Sequence, residues 1–123
     1  MSVQRISERA LKKILTGRVV SDSTCVVKFY SNGCPYCKAL SSYYEDIARE
    51  DPYSELNFFA FNVDDYPQIE KLLNFNGVPT ISLIKAKPGS KKPKVRIMEE
   101  PDPPHQKTWY YSKDIKNFIE KEK

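Results

Sequence analysis

Two cysteines stand where an apolar stretch gives way to a helical pattern. Residues 25–30 are almost all apolar, with β-branched and aromatic members, which is typical of a central strand buried on both faces of a parallel sheet. Cys34 and Cys37 follow directly, and apolar residues recur at helical spacing from Cys37 onward. Two thiols at a strand-to-helix junction can close into a small disulfide ring and open again. Their placement therefore indicates redox chemistry rather than a structural crosslink.

The rest of the chain alternates between strand and helix patterns. A short leading helix is predicted before the first strand, with Ser7 as its cap and Gly17 as its stop. Downstream, the pattern predicts the following elements: a helix from Cys37 to Asp51-Pro52, a strand at 56–63, a helix starting at 64–67 and stopping at Gly77, hairpin strands at 80–84 and 95–98, and a last helix capped by Ser112. This order predicts an α/β fold in which a mixed sheet carries helices on both faces.

Chain length, net charge and the lengths of apolar runs limit the kinds of protein that this chain can be. A chain of 123 residues fits a single domain, 1–123, with a core at about 22–121. The net charge of +4 does not by itself call for nucleic acid. No apolar run approaches the roughly 20 residues of a membrane span, and residues 1–9 lack the apolar core of a signal peptide. We therefore expect a cytoplasmic monomer without nucleic-acid or membrane partners.

The predicted helix start separates the roles of the two thiols. Cys34 lies where free N–H groups and the helix dipole favour an anion, so its thiolate is expected to be the attacking nucleophile. Cys37 lies on the apolar face and is expected to resolve the mixed disulfide. Pro35 suits the first helical turn, and Tyr36 is expected to present its ring beside the reactive sulfur.

Two other interpretations of the cysteine pair stay open at this point. One is a zinc site that adds Cys25 and His105, although zinc ligands usually come in paired local clusters and Cys25 falls within an apolar strand. The other is an inert, permanently reduced pair. Cys25 itself is expected to be a buried core thiol, with a regulatory role as the alternative.

Three segments, in order, resemble the thioredoxin superfamily. They are residues 27–40, residues 62–65 (Asn-Val-Asp-Asp) and residues 77–80 (Gly-Val-Pro-Thr), and the likeness covers about 22–100. The resemblance implies a thioredoxin fold, a redox-active disulfide as the only cofactor and no metal. It also implies a cis-proline loop in which Pro79 faces the sulfurs, while the backbone of Val78 pairs with an extended substrate peptide.

The chain also departs from the family pattern. Pro35-Tyr36 is the dipeptide of glutaredoxins, and Gly33 replaces the tryptophan that precedes the first cysteine in thioredoxins. Glutaredoxins usually carry Thr-Val-Pro at the proline loop and a Gly-Gly pair further on. Here the loop is Gly77-Val78-Pro79 and no Gly-Gly pair follows. The sequence therefore resembles a thioredoxin body with a glutaredoxin-type active site, and a dedicated glutathione site is not expected.

Lys28 interrupts the apolar strand six residues before Cys34. Thioredoxins and disulfide isomerases place a buried carboxylate here. Three hypotheses stay open: a charged Lys28 favours the thiolates, a neutral Lys28 acts as a base, or its amine reaches the surface. If the charge acts on the thiols, the reduction potential should lie nearer about −200 to −230 mV than about −270 mV.

The resemblance implies a thiol-disulfide oxidoreductase that reduces or exchanges protein disulfides in electron transport and cell redox homeostasis. Its partners would be disulfide-containing proteins and a reductant system, either thioredoxin reductase or glutathione. A glutathione-dependent glutaredoxin is one alternative, and a non-catalytic binding subunit of a larger complex is another. A basic cluster on the predicted hairpin, Lys85 to Arg96, is either a solvated edge or a docking surface for an acidic partner.

Overall fold

A five-stranded mixed sheet organises the protein in the computed structural model, which describes residues 3–123. The strand order is β1-β3-β2-β4-β5. The bounds are β1 Gln4–Arg5, β2 Ser23–Tyr30, β3 Asn57–Asn62, β4 Thr80–Ala86 and β5 Lys94–Ile97. β3 pairs in parallel with both β1 and β2, whereas β4 pairs antiparallel with β2 and with β5. β2 is therefore the central strand.

Four α-helices cover the two faces of the sheet: α1 Glu8–Leu15, α2 Pro35–Ala48, α3 Ile69–Leu73 and α4 Ser112–Glu122. Successive residues of β2 point to opposite faces, so Val26 packs with α2 and α4, while Val27 packs with α1 and α3. The predicted mixed sheet with helices on both faces is confirmed. Within residues 3–123 no helix is long and apolar enough to cross a membrane.

Helix α1 has the predicted ends. The Ser7 hydroxyl oxygen accepts a hydrogen bond from the Ala10 N–H at 3.1 Å, which satisfies one of the free donors of the first turn. Gly17 follows the helix with φ of 74°, a left-handed conformation that suits glycine.

Helix α3 is shorter than predicted at both ends. Residues Val63–Asp65 form a 3-10 turn, and Tyr66 is extended with φ of −158° because it precedes Pro67. The α-helix begins only at Ile69. It ends at Leu73, and the next residue, Asn74, adopts the left-handed conformation with φ of 62°, so the predicted stop at Gly77 was wrong.

The start of α4 also differs from the prediction. Ser112 is the first helical residue rather than the cap. Tyr111 occupies the cap position and makes no capping hydrogen bond through its side chain. The preceding segment, residues 99–111, is irregular, and its path brings aromatic side chains to the functional site described next.

Candidate active site

The two cysteines lie at the first turn of α2. Cys34 is the N-cap residue, and its Sγ accepts a hydrogen bond from the Cys37 N–H at 3.1 Å. Pro35 occupies the first turn, where its missing N–H breaks no helical hydrogen bond. Cys34 and Cys37 are joined by a disulfide, with 5.2 Å between their Cα atoms. Cys34 is 8% exposed and Cys37 2%, so Cys34 is the sulfur nearer to solvent and to the positive end of the helix dipole.

Polar side chains hold the loop that precedes the cysteines. The Asn32 N–H donates to Asp64 Oδ2 at 3.0 Å, and Asn62 Nδ2 donates to Asn32 Oδ1 at 2.9 Å. The Asp64 N–H in turn donates to Asn62 Oδ1 at 2.9 Å. These bonds join the loop between β2 and α2 to the end of β3. They explain why the Asn-Val-Asp segment lies at the site.

The loop of residues 77–79 flanks the site at the start of β4. The peptide bond between Val78 and Pro79 is cis. The Gly77 N–H donates to Glu70 Oε1 at 3.2 Å, and the Thr80 hydroxyl donates to the Gly77 carbonyl at 2.8 Å. Thr80 pairs with Phe29 near the end of β2. The loop therefore lies at the same end of the sheet as the cysteine loop, which follows the C-terminal end of β2.

Lys28 lies inside the protein beside Cys37. It is 5% exposed, and its Nζ donates to Ser41 Oγ at 3.0 Å. The Ser41 hydroxyl donates to the Cys37 carbonyl at 3.1 Å. Nζ also lies 5.2 Å from the centroid of the Tyr44 ring. The structure thus buries the amine, contrary to the hypothesis that it reaches the surface.

Lys28 and Cys37 line one cavity of about 340 Å³. Arg5, Lys38 and Glu45 also line it, so three cations and one carboxylate surround the space. Burial lowers the pKa of Lys28 to about 8, while Glu45 partly opposes the shift and Arg5 adds to it. The Glu45 carboxylate also accepts from the Val3 N–H at 3.4 Å and lies 3.7 Å from an Arg49 nitrogen.

An aromatic contact joins the site to the segment before α4. The rings of Tyr36 and Trp109 meet edge to face, with centroids 5.3 Å apart. Tyr36 is 36% exposed, and Trp109 is partly buried against the core. Sequence reasoning missed this contact because 73 positions separate the two residues. No local pattern indicates that the irregular segment turns back to the active site.

Among residues 3–123, the structure does not bring the residues of the alternative zinc site together in one metal-binding cluster. Cys34 and Cys37 are bonded to each other. Cys25 is a buried free thiol whose pKa is raised to about 11 by burial. The Nδ1 atom of His105 accepts from the N–H groups of its own loop at 3.0 and 3.2 Å. The part of the chain that the structure describes, residues 3–123, holds no group of three or more His, Cys, Asp or Glu arranged for a metal ion.

Comparison with known proteins agrees with this geometry. The sequence model of the family described as Thioredoxin matches residues 3–101. The chain belongs to the thioredoxin family. A thioredoxin from Borreliella burgdorferi is 30% identical over 76 residues, which are 62% of this chain and 62% of that protein. A thioredoxin from Rickettsia bellii is 29% identical over 65 residues, 53% of this chain and 61% of that protein. The aligned region thus spans about three fifths of each curated relative.

Solved thioredoxin structures share the fold at lower identity. The Trx4 domain of ERdj5 superposes with a TM-score of 0.71 at 16% identity, covering 98% of this chain and 95% of that one. Oxidised thioredoxin from Plasmodium falciparum gives 0.65 at 21% identity, covering 98% and 97%. The fold implied by the sequence resemblance is therefore confirmed.

The buried amine predicts a pH dependence of stability. The pKa of Lys28 falls from an ordinary 10.5 to about 8, so the native state binds fewer protons than the unfolded state between those pH values. Below pH 8 the buried ammonium destabilises the fold, and this penalty disappears as the pH rises toward 10.5. We expect oxidised Lys28→Met to be more stable than the wild type at pH 7, by up to about 3 kcal/mol. The difference should shrink by pH 10.

Denaturant unfolding of both proteins at pH 7, 8, 9 and 10 measures this difference. Lys38→Met is the matched control, because Lys38 is an exposed lysine at the same cavity. A difference between Lys28→Met and the wild type that stays constant from pH 7 to pH 10 would show that burial does not destabilise the ammonium.

Proposed function

We propose that this chain is a thiol-disulfide oxidoreductase that reduces or exchanges protein disulfides through Cys34 and Cys37. The observation that carries the proposal is the position of Cys34. Its sulfur caps α2, accepts the Cys37 N–H and is bonded to the more deeply buried Cys37. A sulfur at this position is stabilised as a thiolate by the helix dipole and by N–H donors.

The reaction follows from two successive exchanges of a disulfide. The Cys34 thiolate attacks one sulfur of the substrate, a Cys34–substrate disulfide forms and the other substrate sulfur leaves as a thiolate. Cys37 then loses its proton and attacks Cys34, which releases the second substrate sulfur. Two electrons and two protons pass from the dithiol to the substrate, and the Cys34–Cys37 disulfide remains. The same steps in reverse oxidise a substrate dithiol.

The surroundings of Cys34 suit a polypeptide substrate. Gly33 is exposed, and a Cβ at this position would meet no atom within 4 Å. Pro35 and Tyr36 are also exposed. The loop of Val78 and Pro79 leads into β4 beside this surface. We propose that an extended peptide adds its backbone to Val78, in the manner of strand addition.

We propose that Lys28 acts on Cys37 through charge. A thiolate that forms on Cys37 shares the cavity with the buried ammonium, and each charge reduces the desolvation penalty of the other. Ser41 links the two residues, since its hydroxyl accepts from Lys28 and donates to the Cys37 carbonyl. Where Cys37 is ionised, this arrangement favours the reduced form and should raise the reduction potential. It should also assist the step in which Cys37 loses its proton.

At a pH high enough to ionise Cys37, Lys28→Met should lower the reduction potential of the pair, by about 30 mV for each pKa unit by which the Cys37 thiolate is destabilised. Equilibration with glutathione redox buffers measures the potential. Lys38→Met again serves as the control for the loss of a nearby exposed cation. An unchanged or raised potential in Lys28→Met contradicts the proposed role.

Cysteine variants separate the proposed function from a binding role. Cys34→Ser should reduce the rate of insulin disulfide reduction to background. Cys37→Ser should accumulate a mixed disulfide between Cys34 and the substrate, visible by mass spectrometry. Cys25→Ala is the control and should keep the activity, because Cys25 lies 1% exposed within β2. If Cys34→Ser keeps the biological role, the chain is a binding subunit.

The electron donor is part of the proposal. Pro35-Tyr36 favours glutathione, while the missing Gly-Gly pair and Gly77 favour a thioredoxin reductase. We propose the reductase as the donor, and turnover with reductase and NADPH but not with glutathione alone is the expected result. The cytoplasmic location, the monomeric state and the lack of a nucleic-acid partner stay predictions from the sequence.

A further inference from the structure

Hydrogen bonds and packing hold the second half of the irregular segment, residues 99–111, against the site. His105 and Trp109 exchange two backbone hydrogen bonds, at 2.9 and 3.1 Å. The next residue, Tyr110, is 2% exposed and contacts the Thr80 side chain and the Ile81 backbone, directly after Pro79. The Thr108 hydroxyl donates to the Tyr110 carbonyl at 2.8 Å. The backbone of Trp109 is therefore fixed by its bonds to His105 and by the anchoring of Tyr110, and its ring meets Tyr36.

The backbone of Trp109 adopts a conformation that bulky residues rarely take. Its φ is 66°, in the left-handed region where Cβ crowds the backbone carbonyl. Glycine or asparagine would fit this position with less strain. Residues held in such conformations by their neighbours cluster at functional sites. Here the conformation directs the indole to the Tyr36 ring, two residues beyond Cys34.

The two sides of Cys34 differ: one is open and the other is lined by aromatic rings. Gly33, on its N-terminal side, adds no side chain and leaves open space. The ring of Tyr36 and the chain's single tryptophan stand on the other side. Both rings are partly exposed. An apolar side chain that covers them would be removed from water against two aromatic surfaces.

We propose that Trp109, together with Tyr36, is a specificity-determining residue that favours polypeptide disulfides with an apolar side chain beside the reacting cysteine. The inference rests on the proposed oxidoreductase function. A small aliphatic disulfide presents no apolar side chain to cover the aromatic pair, so we expect its reaction with Cys34 to be independent of Trp109.

The test compares two substrates with the pre-reduced protein. Second-order rate constants for oxidation by insulin and by 2-hydroxyethyl disulfide are measured in single turnover, by acid quench, alkylation and mass spectrometry. Trp109→Ala should slow the reaction with insulin by about three- to tenfold, the range expected for loss of an aromatic contact. The reaction with 2-hydroxyethyl disulfide should stay within twofold, and Trp109→Phe should keep most of the insulin rate.

Tyr111→Ala is the matched control. Tyr111 lies in the same segment and is 36% exposed, like Tyr36, but its ring contacts His105. This variant should react with insulin as the wild type does. Circular dichroism verifies that each variant is folded. If Trp109→Ala does not fold, Tyr36→Ala removes the exposed half of the pair and carries the same expectation.

Two results overturn the inference: an equal loss of rate with both substrates, or no loss with insulin. The first would mean that Trp109 acts on the sulfurs rather than on the substrate. A wild-type protein that reacts with neither substrate contradicts the oxidoreductase function itself, so the two failures are distinguishable.

Discussion

The pairing of β2 with strands on both sides is the constraint on which the site depends. β3 aligns with β2 from Cys25 to Tyr30, and β4 aligns with it from Ser23 to Phe29. This pairing fixes the point at which the chain leaves the sheet, and Cys34 caps α2 four residues after Tyr30. The same pairing brings the end of β3 and the Pro79 loop to the same place. The geometry at the sulfurs therefore follows from the register of three strands.

Side chains along β2 point alternately to the two faces of the sheet, and this explains how Lys28 can influence the thiol chemistry. Lys28 points to the face covered by α2, where Tyr44 and Ser41 meet it. A charge on this face is removed from water and shares a cavity with Cys37, the more deeply buried of the two cysteines. The family resemblance implies a carboxylate at this position, so this chain reverses the sign of the buried charge. That reversal distinguishes its electrostatics from those of the family pattern.

The parts of the fold governed by local patterns could be predicted from the sequence. The apolar run before Cys34 gives the central strand, Ser7 caps α1, and the spacing of Cys34 and Cys37 places them on the first turn of α2. The predicted start of α3 at residues 64–67 was wrong because Pro67 holds the preceding residue, Tyr66, in an extended conformation. The contact between Tyr36 and Trp109 could not be predicted, because it depends on the path of an irregular segment fixed by tertiary hydrogen bonds.

The central claim is that Cys34 is the thiolate nucleophile and Cys37 the shielded partner. Alkylation of the reduced protein with iodoacetamide across a pH series, followed by peptide mapping, tests it most directly. The account predicts that the label enters Cys34 first, with an apparent pKa below the roughly 8.5 of a free cysteine. Labelling of Cys37 first, or a Cys34 pKa at or above that of a free cysteine, would contradict it.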